Sequence, residues 1–196
     1  MKLKIYKTIF AILFIAVIVV IGLIAVKYGK NYLNDQETQK VVETFSRSLE
    51  SEIKENVTMN GYKVIGIVKI PKIELEYPIL DIDTYNPEET KEPMKISIVK
   101  YWGGQVNDYG NLSIAGHNNY DGTMFGKTKH LEIGDTVELT DLNGNTVTYQ
   151  IYDKFITDPN DVTILATNDN TIRETTLITC TNGNRERLIL KAKETK

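Results

Sequence analysis

The sequence predicts a mainly β domain, a closed barrel or a sandwich of about eight short strands with short helical turns, behind an apolar helix and an amphipathic helix. Three observations lead there. From about Tyr62 onward, β-branched and alternating runs recur between turn signals. Thr8 to Val26 is an uncharged run of 19 residues, almost all Ile, Val, Leu, Ala and Phe. Between the two, Val41, Val42, Phe45, Leu49 and Ile53 recur at three- and four-residue steps among charged side chains.

A chain of 196 residues has room for one domain and its accessories. At 41% hydrophobic and 25% charged residues, with a net charge of -3, it has the composition of a folded protein. Positive charge forms no patch along the chain, which argues against a nucleic-acid partner. Charge is uneven only at the start, where Lys2, Lys4 and Lys7 precede the apolar run; without these three, 20 of the 23 basic side chains remain against 26 acidic ones.

The apolar run reaches about 28 Å as a helix, close to the ~30 Å hydrocarbon core of a bilayer. It is therefore expected to span a membrane. A cleaved signal peptide would have a shorter apolar core and small residues at its cleavage site. Here Leu23 and Ala25 lead directly into Lys27 and Tyr28. The three N-terminal lysines favour a cytoplasmic N-terminus, against the smaller pull of Lys27 and Lys30. Residues 1–7 then form a cytoplasmic basic N-terminus, 8–26 a membrane anchor, 27–61 a juxtamembrane linker with the amphipathic helix, and 62–196 an extracellular domain.

Asn34 or Asp35 is placed to cap the amphipathic helix, with Glu37 in its first turn. A free stalk would not need an apolar stripe, so the helix is expected to dock on the domain behind it. "YKVIGIVKIPKI" and "LEYPIL" are strand-like runs interrupted by Pro71 and Pro78, consistent with edge or bulged strands. "KISIVKYW" and "NLSIAGH" follow, separated by the turn-rich GGQVNDYG. The clearest hairpin is "DTVELTDLNGNTVTYQIYDKF", two alternating runs around Asn143 and Gly144. "DVTIL", "TTLITC" and "RLILKAK" read as the remaining strands, and "GTMFGKTKHLE" as a short helical turn.

The only cysteine, Cys180, cannot form an internal disulfide, so in an extracellular domain it is either buried or kept for chemistry. Thiol chemistry near neutral pH needs a neighbouring base or cation. There are two histidines. His117 ends a strand-like run after Gly116, at a position suited to a barrel rim, whereas His130 lies on the helical turn and reads as a surface residue. Along "TTLITC", Thr176, Ile178 and Cys180 share a face. If this run pairs antiparallel with "RLILKAK" through a six-residue connection, Arg187 faces Cys180; a two-residue turn at Asn182 and Gly183 would instead bring Arg185 there. Either guanidinium would favour a thiolate and donate hydrogen bonds to a developing oxyanion.

T-L-I-T-C at 176 to 180, A-G-H-N at 115 to 118 and an arginine before a hydrophobic last strand together resemble the sortases, cysteine transpeptidases of the Gram-positive cell surface. The resemblance covers roughly residues 62 to 193. It implies a closed eight-stranded β-barrel with Cys180 as nucleophile, His117 as acid and base, and Arg187, preferred over Arg185, as substrate and oxyanion ligand. It further implies Thr179 and Asn118 as substrate-binding residues. The implied substrate is an LPXTG-like sorting signal of a surface protein, cleaved through a thioacyl-enzyme. The implied acceptor is the amine of lipid II, a peptidoglycan crossbridge or a pilin lysine. No cofactor or metal is expected, and no dense acidic cluster suggests calcium. "DGTMFG" at 121 to 126 and the preceding amphipathic helix resemble class B members, although Asn182 stands where that class often carries an acid; the class expected is B-like or D-like.

Two other functions use the same features. An L,D-transpeptidase also combines cysteine, histidine and arginine, but in an S-x-G-C context that Ile178 and Thr179 do not match. A non-catalytic membrane-anchored β-domain that binds wall polymer or a partner would keep Cys180 buried and inert.

Overall fold

Successive side chains of a strand point to opposite faces, and in this protein both faces of several strands are apolar and buried. The computed structural model describes residues 2–50, 56–82, 88–167 and 169–195. It divides into two units, Met1–Glu37 and Thr38–Lys196. A helix, α1, runs Lys2–Glu50. Its part in the first unit includes Ile9–Val26, long and apolar enough to cross a membrane and with none of the stretch buried.

The expectation of a separate helix capped at Asn34 or Asp35 is not met, because α1 passes through both residues. No proline occurs before residue 71, so nothing interrupts the i to i−4 ladder. A capping side chain stabilises only where backbone N–H groups lack helical acceptors.

The second unit begins inside α1. Its strands are β1 (Thr58–Met59), β2 (Tyr62–Ile70), β3 (Leu75–Leu80), β4 (Ile98–Trp102), β5 (Gly110–Ala115), β6 (Thr136–Asp141), β7 (Thr146–Thr157), β8 (Arg173–Thr181) and β9 (Glu186–Glu194). They pair in the order β1-β2-β3-β4-β5-β8-β9-β7-β6, and β2 also pairs with β6. That last pairing closes an eight-stranded barrel and leaves β1 as an addition outside the ring. Two of the pairings are parallel, β3 with β4 and β5 with β8. Closure depends on Gly66, where a Cβ would lie 2.5 Å from the Thr140 carbonyl oxygen on the facing strand. The β2–β3 register shifts beside this glycine, between Val64 and Gly66, as expected of a bulged strand.

Alternation along the strands builds two apolar clusters. Ile79, Ile98, Ile114, Leu177, Leu188 and Leu190 belong to the one that fills the barrel. Leu80, Val99, Ala115, Ile178 and Ile189, their chain neighbours, belong to an outer cluster with Val42 and Phe45 of α1. The amphipathic stripe therefore docks on the outside of the barrel, with Phe45 only 1% exposed. Ile53, the last member of the predicted stripe, lies outside the described residues.

Most strand expectations are met, including the hairpin around Asn143 and Gly144. There Asp141 accepts from the backbone N–H groups of Asn143 and Asn145, at 2.7 and 3.0 Å. β1 adds a hairpin that the strand reading did not include, closed by Asn60 and Gly61 with φ values of 48° and 84°. Pro71 starts a 3-10 turn, Pro71–Ile73, rather than continuing β2. "DVTIL" is also corrected: its centre is a 3-10 turn, Thr163–Leu165. The Asp161 carboxylate accepts from the backbone N–H and the hydroxyl of Thr163, at 2.9 and 2.5 Å, which curls the chain before a ladder can form.

Candidate active site

Parallel pairing aligns the ends of β5 and β8, so the residues after Ala115 and Ile178 emerge side by side. The pairing extends one step beyond β5, with the Gly116 N–H donating to the Ile178 carbonyl at 3.2 Å. His117 follows on one strand end and Cys180 lies near the other. Two side chains tie these ends together. The buried Thr179 hydroxyl donates to the Gly116 carbonyl at 2.7 Å, and the exposed Asn118 amide donates to the Cys180 carbonyl at 2.8 Å. Both side chains thus donate to backbone carbonyls, one beside His117 and one of Cys180 itself.

The chain then turns back through the predicted helical segment, Phe125–His130. The Phe125 N–H donates to the His117 carbonyl at 3.0 Å, and Asn118 pairs with Met124. Gly126 permits this close return, since a Cβ there would sit 2.2 Å from the Asn119 carbonyl oxygen. Met124 takes a φ of 49° with its side chain buried at 3% exposure, a conformation that costs a non-glycine residue energy and persists only under strong surrounding constraint. His130 is exposed, as its sequence position predicted.

Arg187 stands directly opposite Cys180 across the β8–β9 pair, and Glu186 opposite Thr181. The wider of the two predicted registers is therefore the one adopted. The tighter one is excluded, because Asn182, Gly183 and Asn184 all have positive φ values, 48°, 66° and 70°, and spread the turn over more than two residues. Arg185 consequently lies exposed on the loop. Arg187 is half-buried, and its Nη1 donates to the Asn184 and Glu186 carbonyls, each at 3.2 Å. A guanidinium has five N–H donors in all.

His117, Cys180 and Arg187 meet in one cleft of about 460 Å³. Its base is the outer face of β4, β5 and β8, lined by Tyr101, Ala115 and Ile178. One side carries Thr90, Lys91 and Met94 of the helical turn α2 (Lys91–Met94) and its start. The other is the β7–β8 connection, with Pro159, Asp161, Val162, Ile164 and Leu165. Burial, with a smaller contribution from the positive charge of Lys95, holds the His117 pKa below its ordinary value of 6.5. At neutral pH the imidazole is neutral and able to accept a proton. Among the described residues no group of three or more His, Cys, Asp or Glu side chains is placed to hold a metal ion.

The two walls of the cleft were not identified from sequence. Asp161 followed two residues later by Thr163 is a recognisable turn signal, but nothing local marks where that turn packs.

Fold and site together define a class: an eight-stranded barrel carrying cysteine, histidine and arginine in one cleft. The chain belongs to the sortase family, matching the Sortase domain over residues 68–195. It is 29% identical over 126 residues to Sortase A of Bacillus anthracis, a match covering 64% of this chain and 56% of that protein, so just over half of the relative is spanned. Among solved structures it is similar to the Sortase D5 transpeptidase of Clostridium perfringens, with a TM-score of 0.63 at 26% identity, covering 84% of this chain and 99% of the other. Sortase C-1 of Actinomyces oris shares the fold, with a TM-score of 0.58 at 22% identity over 68% of this chain and 74% of its own.

Proposed function

We propose that the protein is a membrane-anchored cysteine transpeptidase that cleaves an LPXTG-like sorting signal and transfers the acyl group to a cell-wall or pilin amine. The observation that carries this is the placement of Arg187 directly opposite Cys180 in the cleft that also holds His117. The Cys180 sulfur attacks the threonyl carbonyl carbon while its proton passes to the neutral imidazole of His117. The tetrahedral oxyanion takes hydrogen bonds from the donors of Arg187 that are not engaged with the loop carbonyls. His117 then delivers the proton to the departing amine, the C–N bond breaks and a thioester remains. In the second half an acceptor amine gives its proton to His117 and displaces the thiolate, which takes the proton back. Lipid II, a peptidoglycan crossbridge and a pilin lysine all supply such an amine.

Thr179 and Asn118 act in substrate binding through the strand ends that they brace. The apolar base of the cleft suits an aliphatic side chain of the sorting signal. The similarity to the Clostridium perfringens enzyme supports a D-like class. Residues 8–26 anchor the chain in one pass, with residues 1–7 cytoplasmic, 27–61 as juxtamembrane linker and helix, and 62–196 as the extracellular catalytic domain. Ile9–Val26 supports the anchor, and Lys2, Lys4 and Lys7 the orientation.

The test is intact-protein mass spectrometry of the full chain in detergent after incubation with pooled LPXTG-like and NPXTG-like peptides. A thioacyl adduct on the wild type that is absent from Cys180→Ala is expected. A folded chain that acquires no adduct from any peptide, and whose Cys180 resists a small alkylating agent, would point to the non-catalytic binding domain.

A further inference from the structure

The cleft wall formed by Thr163–Leu165 is not part of the barrel ladder, and its position relative to Cys180 depends on what holds it. Two devices do so. Within the connection, Asp161 accepts from the Thr163 backbone and hydroxyl and from the Thr157 hydroxyl, the last at 2.6 Å. These bonds shape the turn locally. The second device reaches across the sequence. The Asn111 amide, on β5 and buried at 8% exposure, donates to the Ile164 and Leu165 carbonyls at 3.4 and 3.2 Å, with a further 3.4 Å contact to the Ser113 hydroxyl. Its own oxygen accepts from the buried Thr176 hydroxyl on β8 at 2.9 Å. The Ile164 and Leu165 carbonyls can only accept, so they direct the amide N–H groups toward the wall and leave its oxygen to the Thr176 hydroxyl.

We propose that Asn111, which does not line the cleft, is a positioning residue that sets the peptide-binding wall of Ile164 and Leu165 through a strut anchored at its other end by Thr176. The strut rests on the same strands that carry Cys180 and the approach to His117, so the wall and the reacting groups share one frame. A wall set in advance spares an incoming peptide the cost of ordering it. Loss of the strut therefore weakens peptide binding and leaves the thiol itself unaltered. This extends the transpeptidase function proposed above.

The experiment compares the full chain in detergent as wild type, Asn111→Ala and Thr176→Val, the last replacing the anchoring hydroxyl with a methyl group of similar size. Thioacylation of Cys180 is followed against peptide concentration, and alkylation of Cys180 by iodoacetamide is followed alongside. Expected for Asn111→Ala is a rise of about tenfold in the half-saturating peptide concentration, which corresponds to about 1.4 kcal/mol. The saturating acylation rate and the alkylation rate should stay within about twofold, and Thr176→Val should show a smaller rise of the same kind. Hydrogen exchange gives a readout that needs no peptide: the Leu165 and Ala166 amides, bonded within the turn to Val162 and Thr163, should exchange faster in both variants while the barrel strands do not change. An unchanged half-saturating concentration in folded variants, or acylation and alkylation falling together, overturns the proposal. If the wild type takes no peptide, the transpeptidase function fails; the strut is then judged by hydrogen exchange alone, and unchanged wall amides overturn it.

Discussion

His117 combines the only half-buried imidazole of the chain with a nearby ammonium on Lys95, and both disfavour its protonated form. Unfolded, the residue titrates near 6.5; folded, it holds its proton less tightly. Above that pH both states are neutral and stability is unaffected. As the pH falls through 6.5 toward the folded-state value, the unfolded chain takes up the proton first and stability declines. Urea unfolding from pH 7 to 5 should therefore show a shallower loss in His117→Gln than in the wild type. In Lys95→Met the His117 titration followed by NMR should move upward. The two arginines near Cys180 differ by placement. Arg187→Ala should reduce peptide acylation about 10²- to 10³-fold, in the range for removing an oxyanion donor, with unchanged circular dichroism. Arg185→Ala, on the exposed side of the loop, should leave acylation near the wild-type rate.

At the scale of elements, the β8–β9 hairpin and the α1 segment from Thr38 do different work. The register of the hairpin alone decides which arginine faces the thiol. The helical segment sets stability, because its buried Val42 and Phe45 belong to the outer apolar cluster that also holds Val99 and Ile189. Phe45→Ala should cost about 3–5 kcal/mol in chemical denaturation, the usual range for deleting a buried phenylalanine. Truncation before Thr38 should not carry that penalty, since Val42 and Phe45 remain.

At the scale of the whole molecule, the first unit holds the helix long and apolar enough to cross a membrane, and the second holds the cleft. Deleting residues 2–26 should move the chain from the membrane to the soluble fraction on ultracentrifugation. Cys180 should remain open to alkylation, because every residue lining the cleft belongs to the second unit.

Much of this was determined locally and could be read from the chain. Period-two alternation revealed most of the barrel strands, the 19 uncharged residues marked the apolar helix, and T-L-I-T-C with a histidine at a strand end pointed to the thiol site. Those features depend on near neighbours, whose spacing is covalent. The choice between Arg187 and Arg185 depended on whether Asn182 and Gly183 close the turn alone, and two registers differing by two residues preserve the same facing pattern. Only the assembled ladder, with Asn184 also left-handed, decided between them. The cap expected at Asn34 or Asp35 failed for a related reason, because a capping residue helps only where a helix actually begins. "DVTIL" has strand composition, yet the Asp161 carboxylate offers its backbone a competing partner. Asn111 and Thr176 bear no motif at all: their roles arise because parallel pairing of β5 with β8 brings residues 65 positions apart into hydrogen-bond contact. Tertiary structure alone makes such a pair, since the free energy that places it comes from closing the barrel and not from any segment by itself.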